Sequence, residues 1–176
     1  GPHKNVGYNG LWNVYKDSDI RPGTNYYWDM YSTSKFREGQ QKCGNYSHVG
    51  DCVNREHSFP KSWFKEGQPM VSDAFHIYPT DGKVNGQRSN FPYGECANGT
   101  TLPSCNGVDS LGKLGKSTFP GYSGTVFEPV DEYKGDFARS YFYMAACYND
   151  KIASWSSPML AGNSYPCYTT WAVNLL

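Results

Sequence analysis

The chain has 176 residues and weighs 19.8 kDa, enough for one domain, residues 1–176, with a sizeable core. Sixteen basic and sixteen acidic residues cancel, which excludes the global attraction to polyanions of a strongly basic protein, so any nucleic-acid site must be local. No apolar run approaches the length of a bilayer span, and 15 Tyr, 9 Phe and 5 Trp must supply much of the buried area, each Tyr and Trp bringing a polar group that needs a partner.

The opening Gly1-Pro2, with no initiating Met and no signal-peptide pattern, reads as a processed or trimmed end. Residues 8–36 mix aromatic and polar groups around Arg21-Pro22-Gly23, which predicts a short helix and then an extended segment. Residues 37–52 are polar, and Cys43 and Cys52 would close a loop there. Residues 53–64 read as a strand that ends near Pro60 and passes into a helical turn. An apolar stretch over 71–79 carries Asp73 and His76, Asp81-Gly82 is a turn signal, and Asn85-Gly86 taken alone is a hairpin turn. Seven glycines between 94 and 125 predict loop. Residues 136–147 place Phe137, Ala138, Tyr141, Phe142 and Ala145 at helical spacing behind Asp136, an N-cap or first-turn acid. The tail from 153 should pack on the body through Cys167. The sum is a mixed α+β fold with long loops.

Six cysteines in a short, loop-rich chain fit three disulfides and an oxidising compartment. Fifteen pairings are open; proximity favours Cys43 with Cys52, Cys96 with Cys105, and Cys147 with Cys167. A competing arrangement is a zinc set of Cys43, His48, Cys52 and His57, disfavoured because four other cysteines remain to pair. Gly112 to Ser117 resembles a phosphate loop, but Ser110 stands where a Walker A motif requires glycine, so nucleotide triphosphate binding is excluded.

The informative residues are Asn54-Arg55-Glu56-His57-Ser58-Phe59-Pro60, then Asp73 and His76, then Lys83 to Phe91 with Asn85 and Arg88. With the runs 11–17, 28–32, 55–62, 78–91, 119–129 and 134–144, they resemble the bacterial endonuclease I family of periplasmic and secreted nucleases, within the ββα-metal superfamily. Many relatives carry a second His where this chain has Phe75, which leaves that position without a role but keeps Asp73 and His76 as supporting residues. The resemblance implies a ββα-metal core, with His57 as the general base that deprotonates water, and Glu56 and Asn85 as the side chains holding one divalent cation. Arg88 lies three residues beyond Asn85, on the same face of a helix, and is expected to contact a phosphate as part of the catalytic group.

The chemistry is consistent. One carboxylate and one amide oxygen suit Mg²⁺, with Ca²⁺ or Mn²⁺ as alternatives, better than zinc. An imidazole near its ordinary pKa is mostly neutral at pH 7 and can accept a proton from water. Because neighbouring strand residues face opposite ways, Glu56 and His57 share a site only at a strand end or bulge. Arg55, Lys61, Lys83 and Arg88 surround the site in sequence, with Lys65, Lys113 and Lys116 further off, and would track a nucleic-acid backbone without reading bases. The expectation is therefore an extracellular or periplasmic, monomeric endonuclease acting on DNA and also on RNA, with no membrane partner. The alternative is a noncatalytic, disulfide-stapled module binding carbohydrate or protein through its Tyr- and Trp-rich surface.

Overall fold

The structure is a computed structural model and describes residues 5–176, so the reading of Gly1-Pro2 lies outside the described residues. The first helix, α1 (Leu11–Ser18), buries Leu11 and Tyr15. Strands β1 (Val53–His57) and β2 (Ile77–Asp81) pair antiparallel in unbroken register, from Val53 opposite Asp81 to His57 opposite Ile77. Helix α2 (Gly82–Arg88) follows β2 without a loop. A second antiparallel pair, β3 (Lys113–Lys116) and β4 (Thr125–Glu128), precedes the long helix α3 (Asp131–Cys147), and α4 (Thr170–Leu175) closes the chain. The α+β class expected from the sequence is the class observed.

Two apolar clusters hold these elements together. The larger gathers Phe137, Tyr141 and Met144 of α3 with Tyr31, Phe59, Trp63, Phe127 and Tyr168. The smaller joins Leu11 and Tyr15 of α1 to Tyr27, Phe36, Val53 of β1 and Ile77 of β2, while the larger reaches β2 through Tyr78. Two buried phenols find carbonyl partners, Tyr141 donating to Ser58 at 3.1 Å and Tyr168 to Tyr141 at 2.5 Å, whereas the buried Tyr15 hydroxyl has none among the described residues.

Several local expectations are corrected. Asp81-Gly82 is a helix start rather than a hairpin turn, because Asp81 Oδ1 accepts from the backbone N–H groups of Lys83 (2.8 Å) and Val84 (3.0 Å), and Asn85-Gly86 sits inside that helix. The Gly-rich stretch contains β3: Gly115 and Gly99 serve close approach of two backbones, since a Cβ on Gly115 would lie 2.8 Å from Gly99 Cα. Helix α3 begins at Asp131, with Asp131 and Glu132 in its first turn, so Asp136 lies inside it and pairs with Arg139.

One disulfide, Cys43–Cys52, forms among the described residues, and it packs against the start of α2, where a Cβ on Gly82 would lie 2.4 Å from Cys43 Sγ. The other two expected pairings do not form. Cys96 Sγ turns toward the Lys113 carbonyl at 3.6 Å, and Cys147 is exposed at the end of α3 while Cys167 is buried in the larger cluster.

Candidate active site

The site is assembled where β1 ends and α2 begins. Asp29, fully buried, ties the 29–32 segment to the start of α2: Oδ1 accepts from the N–H of Tyr31 at 2.8 Å and of Asp81 at 3.1 Å, and Ser32 donates to Oδ2 at 2.5 Å. Burial pushes the Asp29 carboxyl up to about 7, opposed by the hydrogen bonds from Ser32 and Tyr31. With α2 anchored in this way, Asn85 projects from its second turn into the same cavity that Glu56 and His57 line, a polar space of about 340 Å³ also bordered by Tyr8, Arg55 and Lys61. The register is regular through His57, so it is the strand's end, and not a bulge, that allows neighbouring residues to share the cavity.

His57 is held by its surroundings. Its Nε2 lies 3.1 Å from the Val71 carbonyl. A carbonyl only accepts, so Nε2 carries the proton and Nδ1 keeps the free lone pair. Burial, then the neighbouring His76 ring 5.7 Å away, push the imidazole down to about 3. Neutrality at pH 7 therefore comes from burial rather than from an unperturbed pKa, which corrects the expectation of an untuned ring.

Glu56 is also buried, and its Oε1 accepts from Tyr31 at 2.9 Å and from Arg88 Nη1 at 2.5 Å. Burial pushes this carboxyl up, opposed by the positive charge of Arg88. Oε1 takes both of these side-chain hydrogen bonds, and the His57 backbone N–H adds a further one to the carboxylate. The Asn85 side chain makes no hydrogen bond within the described residues. Glu56 and Asn85 thus bring one carboxylate and one amide to the same cavity, groups whose oxygens are of the donor type that suits a hard cation. The zinc arrangement fails, since Cys43 and Cys52 are bonded to each other and no group of three or more His, Cys, Asp or Glu among the described residues is placed to hold a metal.

Arg88 departs from the expectation. Its side chain is fully buried, and all five N–H groups are engaged: Nε with the Phe91 carbonyl (3.0 Å), Nη1 with Glu56 and the His57 carbonyl (2.8 Å), Nη2 with the Ser58 carbonyl (2.6 Å) and Tyr141 Oη (3.4 Å). No donor remains for a phosphate, because α2 turns this residue inward beneath Glu56. Arg55 and Lys61 border the cavity, whereas Lys83 does not. Lys113 is paired with Glu128 at 3.3 Å.

Asp73 and His76 do not line this cavity, and of the two it is His76 that packs against the His57 ring. Asp73 Oδ1 caps the turn at Phe75 N (3.1 Å), and its Oδ2 accepts from Tyr143 (2.7 Å) and from Tyr148. The short 3-10 turn Met70–Ser72 offers consecutive carbonyls, Met70 to His76 Nε2 at 2.7 Å and Val71 to His57. Burial pushes His76 down to about 4, against an unfolded value near 6.5. Below pH 6.5 the unfolded chain takes up the proton first, so this contribution to stability is complete above 6.5 and is lost as pH falls toward 4. Melting temperatures followed from pH 7 to pH 4.5 should fall less steeply in His76→Gln than in the wild type; parallel slopes would contradict this.

The Endonuclease I family profile matches residues 2–176. The chain belongs to the endonuclease I family. It is 31% identical over 172 residues to the extracellular ribonuclease of Bacillus amyloliquefaciens, covering 90% of this chain and 53% of that protein. It is 32% identical over 171 residues to the extracellular ribonuclease of Bacillus subtilis, covering 89% and 52%, so the chain spans about half the length of these curated relatives. It is also 31% identical over 86 residues to Endonuclease-1 of Buchnera aphidicola, covering 48% and 30%.

Within this chain, three contributors to the site besides Asp29 escaped the sequence reading. Tyr31 lay in a run that carried the family resemblance but had no assigned role, and the Val71 carbonyl is invisible to any side-chain motif. The third is Ser89, which borders the cavity just past α2 with φ 53° and ψ −128°. With Phe91 N bonded to the Arg88 carbonyl at 3.2 Å, this is the second position of a type II′ turn, where glycine is the ordinary occupant. Relief of strain set against glycine's extra chain entropy predicts that Ser89→Gly gains about 1 kcal/mol, a rise of about 2–4 °C in Tm. An unchanged or lower Tm by calorimetry would contradict it.

Proposed function

We propose that this chain is a secreted, monomeric, metal-dependent endonuclease that hydrolyses phosphodiester bonds in DNA and RNA without sequence preference. The observation that carries the reading is the convergence of Glu56, His57 and Asn85, from β1 and α2, on one polar cavity. The strand, strand, helix order of β1, β2 and α2 supports assigning this unit as a ββα-metal core. Both Bacillus relatives are named extracellular ribonucleases, and all proposed site residues come from one chain.

The Glu56 carboxylate and Asn85 Oδ1 would hold one divalent cation, Mg²⁺ by donor type, with Mn²⁺ or Ca²⁺ accepted by the same oxygens. When bound, such an ion supplies Lewis acidity and neutralises charge at the phosphoryl oxygens. His57 accepts the proton of the attacking water at Nδ1, while its Nε2–H stays on the Val71 carbonyl and fixes the ring. Arg88 holds Glu56 in place rather than binding substrate, and Tyr31 shares that task. Arg55 and Lys61 at the rim meet flanking phosphates, so binding should be moderate and weaken with salt.

Incubation with supercoiled plasmid and with RNA in Mg²⁺ tests the reading. Both should be degraded without preferred sites, and Asn85→Ala should need much more Mg²⁺ for the same rate. No cleavage of either polymer by the wild-type chain would overturn it.

A further inference from the structure

Beyond the cavity, cationic and aromatic side chains alternate along one line of the surface. Lys42 Nζ lies 4.9 Å from the Trp12 ring centroid, and the Arg55 guanidinium carbon lies 5.2 Å from that ring and 3.5 Å from the Tyr8 ring. Tyr8 in turn stacks on His57, with centroids 5.9 Å apart and an interplanar angle of 20°. The line therefore ends at the imidazole assigned as general base. Arg55 is fixed in it, because Nη1 donates to the Tyr8 carbonyl at 2.8 Å and to Asn9 Oδ1 at 3.2 Å. Tyr8 remains 37% exposed on the cavity wall, and Lys42 is exposed at the far end.

Resting on the nuclease reading, we propose that Tyr8, Arg55, Trp12 and Lys42 form a subsite for unpaired nucleotides adjoining the scissile phosphate. A cation pair on an aromatic ring is also an ordinary way to stabilise a surface. That role would not require a line of four members that ends at the general base, with the nearest ring left exposed on the cavity wall. Alternating aromatic faces and positive charges match a single strand, whose bases stack while its phosphates meet the cations. In a duplex the base faces are covered by their neighbours, so a paired strand cannot use Tyr8. Every base has a flat face, so the subsite selects strandedness and not sequence. The Bacillus relatives' names are those of ribonucleases, and RNA offers such unpaired stretches in abundance.

The test uses one labelled oligonucleotide, single-stranded or paired with its complement, plus a series with one abasic nucleotide walked through the positions flanking the cut. The wild type should favour the single strand. Tyr8→Ala should raise KM on it roughly tenfold, and Tyr8→Trp should restore KM. Lys42→Ala, at an exposed position, should raise KM and flatten the salt dependence. An abasic nucleotide at one flanking position should weaken the wild type similarly and erase its difference from Tyr8→Ala. Equal impairment of Tyr8→Ala on intact and abasic strands, or equal cleavage of paired and single strands, would overturn the subsite. Cleavage that is indifferent to Tyr8 sinks this inference alone, whereas a wild type that cuts no oligonucleotide sinks the nuclease reading itself.

Discussion

Replacing His57 with alanine is expected to lower the rate of plasmid degradation by about 10²–10⁴-fold while the chain stays folded. In the proposed mechanism the ring supplies the lone pair at Nδ1 that takes the proton from water, and no other imidazole borders the cavity among the described residues. Its removal also leaves the Val71 carbonyl without its donor and opens space between Tyr8, Phe64 and His76, so some loss of stability accompanies the loss of rate. Two measurements separate these effects. Circular dichroism at 25 °C should retain the wild-type spectrum, and added imidazole should restore part of the rate by occupying the vacated space. A variant that keeps its rate within tenfold of the wild type would remove His57 from the mechanism.

The second large effect is structural. Arg88→Met is expected to destabilise the chain by about 3–5 kcal/mol, because it strands a buried carboxylate. It also takes donors from the carbonyls of His57, Ser58 and Phe91. That corresponds to a fall of roughly 10 °C in Tm for a chain of this size. Arg88→Lys should recover little, since an ammonium group offers three N–H donors against the five in use here. A phosphate-binding arginine would behave in the opposite way, with KM raised and Tm unchanged. Thermal melts and steady-state kinetics on the same preparation decide between the two.

The fate of Arg88 shows where sequence reading stops. Its spacing from Asn85 placed both on one helix, and α2 exists, but spacing cannot say which residue of a short helix faces inward. The answer lies in Glu56, a buried carboxylate that needs a cation and lies beside the helix that supplies one. The roles of Glu56, His57 and Asn85 came from the family resemblance and not from the residues taken alone; the structure adds that all three line one cavity. The Val71 carbonyl and the Asp29 clasp were not legible, since a main-chain acceptor has no sequence signature and a lone aspartate resembles a surface residue until its burial is known. Cysteine proximity found Cys43–Cys52, where the chain closes a short loop against Gly82, but proximity says nothing of side-chain direction at Cys96 or Cys147. The Gly-rich stretch was read as loop because glycine's loss of side-chain contacts looks the same in a loop and in two closely packed backbones. The start of α3 was missed because Gly135 masked the helical pattern before Asp136.

The account depends on one cation held by Glu56 and Asn85 beside His57, and chelation tests it most directly. Wild-type chain dialysed against excess EDTA should leave supercoiled plasmid intact, and restoring Mg²⁺ above the chelator concentration should return full cleavage. Undiminished cleavage in the presence of excess EDTA would contradict the account.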